Sequence, residues 1–146
     1  MSRRNERHSN TGGTYDKYRI YGKSAPLKII ALKSCEPLAK KVDNYIVSFR
    51  KESLHDFLDP AIFSSYEADT YLTEHNCPRF GTGEAKAVIG ESVRGKDLFI
   101  MVDVCNYSLT YTVNGHLNHM SPDDHFQDLK RVIAACTGKA HRINVI

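Results

Sequence analysis

The sequence predicts an α/β protein in which a parallel sheet is flanked by helices, with a β-hairpin excursion. Three apolar runs, at residues 27–35, 97–105 and 142–146, have the composition of strands that are buried on both faces of a sheet. Amphipathic helical patterns lie between these runs, as expected for a chain that alternates strand and helix. An alternating segment at residues 84–89 follows a glycine-containing loop and is typical of a half-buried hairpin strand.

The first apolar run leads directly into a segment with helical periodicity that extends to about Lys51. Ser34 is placed to cap this helix, and Glu36 and Pro37 suit its first turn. Its predicted apolar face consists of Leu38, Val42, Tyr45, Ile46 and Phe49. A strand followed at once by a helix is the expected opening of a βαβ unit.

The second half of the chain is predicted to contain a strand, a loop, a helix and a final strand. Residues 106–125 are interpreted as a long polar loop, and Gly138 is placed as the C-cap of the helix that follows. The predicted apolar face of that helix consists of Phe126, Leu129, Val132, Ile133 and Cys136. The last run, "RINVI" at residues 142–146, is where the sequence stops, so we expect an incomplete domain of a longer protein.

Length, composition and charge limit the possible functions. A chain of 146 residues with 41% hydrophobic and 25% charged residues corresponds to about one globular domain. A net charge of +3 is too small to indicate a nucleic-acid partner, and no segment has the features of a membrane span or a signal peptide. The four cysteines form no CxxC pair, which favours reduced thiols and a cytoplasmic protein. The polar residues 1–26 are predicted to form a mostly disordered tail.

Two short motifs resemble nucleotide-binding loops but lack essential parts of them. In "GKS", at residues 22–24, Lys17 stands where a P-loop requires its first glycine, and the motif precedes the first predicted strand. In "GTGEAK", Lys86 stands where a dinucleotide loop requires its third glycine, and a strand follows instead of a helix. We therefore interpret "GTGEAK" as a loop that leads into a β-hairpin.

Four side chains of zinc-binding types occur close together: His116, His119, Asp123 and His125. They fall within one polar stretch, and the sequence offers no clear outer-shell partners to orient them. We therefore predict that this stretch holds no structural zinc.

A resemblance to a known family rests on two segments, "RFGTGEAKAVIGESVRGKDLFIM" and "HMSPDDHFQDLKRVIAACTGKAHRINVI". Both are similar to the N-terminal domain of ribose-phosphate pyrophosphokinases (PRPP synthases), in a longer subgroup of that family. There, a Phe-x-x-x-Glu loop leads into a strand, a specific G-E-S-V-R-G turn and an apolar strand. The resemblance covers about residues 27–146, which would form part of the N-terminal α/β domain. It implies a phosphoribosyltransferase-like fold with a second domain of the same kind.

The resemblance also implies an activity and a set of contact residues. The family transfers the diphosphate of ATP to the C1 hydroxyl of ribose 5-phosphate with Mg²⁺, and it forms homo-oligomers. Phe80 and Glu84 match residues that contact the adenine of ATP in a neighbouring subunit's site, and Thr82 stands where the family has Asp or Asn. Ser92 and Arg94 match a turn that touches a regulatory anion site in some members. On the residues alone, Phe80 is equally consistent with a core aromatic, and Arg94 with a surface cation.

The remaining parts of the family's site have no counterpart in the sequence. The Arg-Gln ATP-binding motif, the metal-binding histidine and the acidic ribose-phosphate loop are missing, and Asp123 and Asp124 are not followed by the Thr-Gly-Thr of that loop. We therefore expect the Mg²⁺ ligands to lie outside this chain, and the chain alone to be inactive. Two alternatives stay open: a non-catalytic regulatory or associated subunit that binds PRPP synthase, and an unrelated α/β module that binds a small molecule.

Overall fold

A computed structural model describes residues 25–53 and 68–146 of the chain. Nearly all of the predicted disordered tail, residues 1–26, lies outside these ranges. The elements are β1 (Leu27–Ala31), α1 (Glu36–Ser53), β2 (His75–Asn76), β3 (Val88–Ile89), β4 (Asp97–Met101), β5 (Thr110–Val113), β6 (His116–His119), α2 (Pro122–Cys136) and β7 (Arg142–Val145). Neither helix in the described ranges combines the length and apolarity needed to cross a bilayer.

Three parallel strands form the central sheet in the order β1–β4–β7. This confirms that the three apolar runs pair as parallel neighbours, although the strands end earlier than the runs that predicted them. β4 ends at Met101, and the chain then turns so that the Asp103 N–H donates to the Ser34 hydroxyl at 3.0 Å. The prediction that Ser34 caps α1 is therefore wrong. The carbonyl of Cys35 accepts the first helical hydrogen bond, from the Ala39 N–H at 2.9 Å.

The two faces of the sheet are covered by different helices because side chains alternate along each strand. One core cluster lies on the α2 side and consists of Ile30, Leu32, Val93, Leu98, Ile100, Leu129, Val132 and Cys136. The other lies on the α1 side and consists of Ile29, Ala31, Cys35, Ala39, Tyr71 and Met101. The arrangement is an α/β fold with a parallel sheet between helices, as predicted.

The predicted apolar face of α1 is wrong in part. Three of its members are mostly exposed: Leu38, Tyr45 and Phe49. Ala39 and Asp43 occupy the buried face instead, and Asp43 accepts hydrogen bonds from the Tyr71 N–H and the Thr70 hydroxyl, both at 2.7 Å. The buried face of α1 therefore includes a carboxylate and differs from the face that apolar spacing alone indicates.

The helix α2 begins and ends at clear signals. A capping box joins Ser121 and Asp124 at its start. The C-cap is Thr137, and Gly138, which was predicted as the C-cap, lies one residue further on with a φ of 75°. Phe126, a member of the predicted apolar face, is 49% exposed. His125 and Asp128 are buried in addition to the predicted Leu129, Val132 and Cys136, since polar contacts described below satisfy them.

Two antiparallel hairpins complete the described structure: β2–β3 and β5–β6. The first is the predicted hairpin excursion, extended beyond its short ladder by a bridge between Arg79 and Ala85. The second corrects the prediction of a polar loop at residues 106–125. Asn114 and Gly115 have φ values of 51° and 79°, which two-residue hairpin turns require, so "NG" was the signal for this hairpin.

Candidate functional site

The segment 80–84 is the tight turn that closes the first hairpin. The Phe80 N–H donates to the Glu84 carbonyl at 2.7 Å, and the Gly83 N–H donates to the Phe80 carbonyl at 2.9 Å. Gly83 has a φ of 89°, which favours glycine. Residues 84–89 then form the second arm of the hairpin, so the interpretation of "GTGEAK" as a hairpin loop is confirmed. The turn is followed by no helix N-terminus that would attract a phosphate.

The turn presents three side chains at alternating positions to the surface. Phe80 is 47% exposed, and Thr82 and Glu84 are also exposed. Phe80 belongs to neither core cluster, so within the described residues it does not act as a core aromatic. The turn therefore offers a flat apolar ring, a hydroxyl and a carboxylate to a ligand or to another protein surface.

Arg79, which precedes the turn, is fixed by contacts with α2 and β5. Its side chain is 9% exposed, and one guanidinium nitrogen lies 3.0 Å from the Asp128 carboxylate. The guanidinium also lies over the Tyr111 ring, 4.7 Å from the ring centroid, in a cation–π contact. A second carboxylate, that of Asp124, is 4.0 Å away. The strand that leads into Phe80 is therefore attached to both neighbouring elements.

The tip of the second hairpin contacts the turn directly. The Asn114 side-chain amide donates to the Gly81 carbonyl at 3.0 Å. A Cβ added at Gly81 would lie 3.5 Å from the Asn114 side-chain oxygen, so the backbone of the turn closely approaches the hairpin tip. The turn is thus held at its centre as well as at its base.

A cleft of about 300 Å³ lies beside the turn, between the two hairpins and the start of α2. Its lining includes Lys33, His75, Cys77, Arg79 and Tyr111. Burial lowers the pKa of His75, and burial raises the pKa of Cys77 to about 11. At neutral pH the Cys77 thiol is therefore protonated and is a poor nucleophile and metal ligand.

The second predicted set of site residues lies on a turn immediately before β4. Ser92 and Arg94 are exposed, and the Ser92 hydroxyl accepts a hydrogen bond from the Arg94 N–H at 3.4 Å. Val93 between them is buried in the core, and the Gly95 N–H donates to the Lys139 carbonyl at 2.9 Å. This turn therefore projects two polar side chains from a firmly attached backbone at the amino end of β4.

Acidic side chains near the amino end of the sheet are paired internally. Asp97 accepts from Arg142 at 2.6 Å and from His141 at 2.9 Å, and the hydrogen bond from Arg142 is the main reason that its pKa lies below the usual value. Burial acts to raise the pKa of Glu91, but hydrogen bonds from Lys28 and Thr73 have the larger opposite effect, so the pKa lies below its usual value. These carboxylates are therefore engaged away from Arg94, whose guanidinium forms no ion pair within the described ranges.

Two histidines of this stretch, His119 and His125, have separate structural contacts. His116 and His119 are three residues apart on β6, which directs them to opposite faces of the strand. His119 stacks on Tyr107 at 4.7 Å and donates to its carbonyl at 3.0 Å. His125 is buried and donates from Nε2 to the Asn106 carbonyl at 2.7 Å. The absence of zinc from this stretch stays a prediction.

The structure brings Phe80, Thr82 and Glu84 together on one turn, and Ser92 with Arg94 on another. Sequence reasoning missed the residues that support the first turn: Arg79, Tyr111, Asn114 and Asp128. The "NG" dipeptide could have located Asn114 at a hairpin tip. Arg79 and Asp128 are 49 residues apart, and no local pattern links them.

Comparison with known proteins gave one family match. The model described as the N-terminal domain of ribose phosphate pyrophosphokinase matches residues 27–146, a range that includes every strand and helix described above. No curated protein matches the chain in a sequence search.

Proposed function

Because the chain belongs to the ribose phosphate pyrophosphokinase family, we propose that it is part of an enzyme that transfers the diphosphate of ATP to the C1 hydroxyl of ribose 5-phosphate. The product, phosphoribosyl diphosphate, is a precursor for nucleotide synthesis. The family match over residues 27–146 is the observation that carries this proposal. We place the enzyme in the cytoplasm as a homo-oligomer, and the four free cysteines agree with a reducing compartment.

We assign the turn 80–84 to the adenine of ATP in the site of a neighbouring subunit. The exposed Phe80 ring supports this role, because stacking of an aromatic side chain on a base stabilises binding by about 1–3 kcal/mol. The Glu84 carboxylate would accept a hydrogen bond from the adenine amino group, whereas guanine has a carbonyl oxygen there. Thr82, between them, can donate or accept through its hydroxyl. The turn would therefore orient ATP and select it over GTP.

Magnesium is expected as the cofactor that neutralises the phosphates of ATP during transfer. The described residues do not supply a ligand set for it, because no cluster of three His, Cys, Asp or Glu side chains occurs in the ranges 25–53 and 68–146. We therefore assign to the described residues the binding and orientation of the base, and no step of the transfer.

We assign Ser92 and Arg94 to a regulatory anion site at a contact between subunits. A guanidinium can donate two parallel hydrogen bonds to a phosphate or sulfate, and the Ser92 hydroxyl can add another. Both side chains are exposed, and the buried Val93 between them anchors the turn.

The test of the enzymatic function compares two proteins: the 146-residue chain and the full product of the coding sequence that contains it. Formation of phosphoribosyl diphosphate from ATP and ribose 5-phosphate is measured for each, with and without Mg²⁺. We expect Mg²⁺-dependent activity from the full product and none from the chain alone. An inactive full product that binds an active synthase would establish the non-catalytic subunit instead.

The role of Glu84 is tested by the Glu84→Ala variant of the active protein. Removing a charge-assisted hydrogen bond to the adenine amino group should lower the ratio of kcat/KM for ATP to that for GTP by about ten-fold or more. The matched control is Lys86→Ala, on the same hairpin, which should leave that ratio unchanged. An unaltered ratio in Glu84→Ala would remove Glu84 from the base-selecting site.

A further inference from the structure

We propose that the second hairpin, residues 110–119, fixes the turn 80–84 in the geometry that receives the base, and that Asn114 is the positioning residue. The inference rests on the proposed function of the turn. It adds a positioning role for a residue outside the assigned contact set, because Asn114 would act through the backbone of the turn and not through the nucleotide.

The Asn114 contact acts at the centre of the turn. The turn's own hydrogen bonds join Phe80 to Gly83 and to Glu84, so they close its ends. The Gly81 carbonyl lies between these ends and accepts the Asn114 amide at 3.0 Å. Since Gly81 follows Phe80 directly, a fixed carbonyl there restricts the backbone that carries the aromatic ring.

Asn114 lies at the tip of the second hairpin, where the turn sets its backbone conformation. It occupies the first position of a two-residue hairpin turn, with a φ of 51°, and Gly115 follows at 79°. Asparagine tolerates this left-handed conformation better than most residues, and its side chain also supplies the donor. The backbone of the hairpin tip and the direction of the amide are therefore set together.

A second contact from the same hairpin holds the other side of the turn. Tyr111 lies under the Arg79 guanidinium, which also binds Asp128 at 3.0 Å. Arg79 precedes Phe80, just as Gly81 follows it. The hairpin therefore fixes both neighbours of Phe80, one through a cation–π contact and one through a hydrogen bond.

The base of the hairpin is tied to the body of the domain. The Met120 N–H donates to the Leu109 carbonyl at 2.8 Å, and His125 of α2 donates to the Asn106 carbonyl at 2.7 Å. The Asn106 side chain in turn donates to the Ser34 carbonyl at 3.3 Å. A continuous series of contacts thus connects the loop after β1, the second hairpin and the turn. A turn ordered in advance loses less conformational entropy when a ligand binds.

The test uses Asn114→Asp, which keeps the size and the tolerance for positive φ but places an acceptor against the Gly81 carbonyl. Asn118→Asp is the matched control, because the Asn118 amide donates within the hairpin to the His116 carbonyl at 3.1 Å. Asn114→Gly is a second variant that keeps the turn conformation and removes the amide. Amide hydrogen exchange at Phe80 and Gly83 is measured in this chain, and the KM for ATP is measured in the active protein that contains it.

We expect exchange at both amides to be about three- to ten-fold faster in Asn114→Asp and Asn114→Gly, the ratio that loss of one ordinary hydrogen bond produces. The KM for ATP should rise by a similar factor, whereas the KM for ribose 5-phosphate should stay the same. Asn118→Asp should change none of these quantities. If the contact were merely structural, its loss would alter amide exchange or thermal stability, but it would not raise the KM for ATP while the KM for ribose 5-phosphate stays the same.

Unchanged exchange at Phe80 and Gly83 in both Asn114 variants would overturn the inference. Faster exchange with an unchanged KM for ATP, in an enzyme whose Phe80→Ala variant does raise that KM, would overturn the positioning role alone and leave the proposed function intact. An unchanged KM for ATP in Phe80→Ala itself would overturn the proposed function of the turn, and the positioning role with it.

Discussion

The central sheet and the two hairpins are stabilised in different ways. In the sheet, Leu98, Ile100 and the facing Val132 are fully buried, and they belong to a core cluster of apolar side chains. In the hairpins, the strands are largely exposed. Cys77, Ala87 and Ile89 of the first hairpin pack against the core, but polar contacts hold the hairpin ends, including the Asn114–Gly81 hydrogen bond and the Arg79–Asp128 ion pair. Burial stabilises the first region, and a few directional contacts orient the second.

This difference separates stability from ligand binding within one small domain. Directional contacts contribute less free energy than buried apolar area, but they fix orientation more narrowly. The turn that we assign to the base belongs to the hairpins, which directional contacts orient. Substitutions in the sheet should therefore affect folding most, and substitutions on the turn should affect ligand binding most.

The largest effect on stability is expected from Leu98→Ala in the sheet. Removing a fully buried leucine side chain should lower the free energy of unfolding by about 2–5 kcal/mol, since the cavity cannot be filled by its rigid neighbours. Chemical denaturation measures this loss. Leu117→Ala is the control on the second hairpin, where the side chain is 68% exposed, and it should change stability by less than about 0.5 kcal/mol. Equal losses in the two variants would remove the distinction between the regions.

An intermediate effect is expected from Asp128→Ala, which removes the carboxylate 3.0 Å from the nearly buried Arg79 guanidinium and leaves only the more distant one of Asp124, at 4.0 Å. The free energy of unfolding should fall by about 2–3 kcal/mol, less than for a fully buried pair because Arg79 keeps its contact with Tyr111. Arg131→Ala removes the more exposed partner of the same carboxylate and should cost at most about 1 kcal/mol. If the two substitutions lower the free energy of unfolding equally, the ion pair between Arg79 and Asp128 does not support the turn.

A smaller, pH-dependent effect is expected from Asp97→Asn at the amino end of the sheet. The pKa of Asp97 is lowered in the folded protein, so the pair with Arg142 stabilises the fold fully above the unfolded carboxyl pKa of about 3.9. That contribution is lost as the pH falls through the lower folded pKa. The stability difference between wild type and Asp97→Asn should therefore narrow below about pH 4. A difference that stays constant from pH 7 to pH 2 would contradict this assignment.

The same contrast explains which parts of the fold the sequence predicted. The runs at residues 27–35, 97–105 and 142–146 identified the sheet because a strand covered on both faces must be apolar along its length. The buried face of α1 differs from the predicted one because it includes Asp43, a polar residue satisfied by Thr70 and Tyr71. Patterns of apolar residues locate buried surfaces, but they do not reveal a carboxylate whose partners come from another part of the chain.

The candidate site was predicted less completely than the sheet. Phe80, Thr82 and Glu84 were selected by family resemblance, and their shared exposure on one turn was not evident from spacing alone. A loop is predicted at the second hairpin because its strands are short and largely polar, although the alternation of Tyr111 and Val113 and the Asn114–Gly115 dipeptide both indicate a hairpin. Its contact with Gly81 depends on two hairpins meeting in space, which no local pattern encodes.

The most direct measurement is the pairing of thermal stability with ATP kinetics for Phe80→Ala in the active protein that contains this chain. The ring is 47% exposed and outside both core clusters, so the unfolding midpoint should change little. Loss of stacking on adenine should raise the KM for ATP about ten-fold or more, with a small effect on the KM for ribose 5-phosphate. A lowered unfolding midpoint with unchanged ATP kinetics would show instead that Phe80 is a packing residue and that the turn does not bind the base.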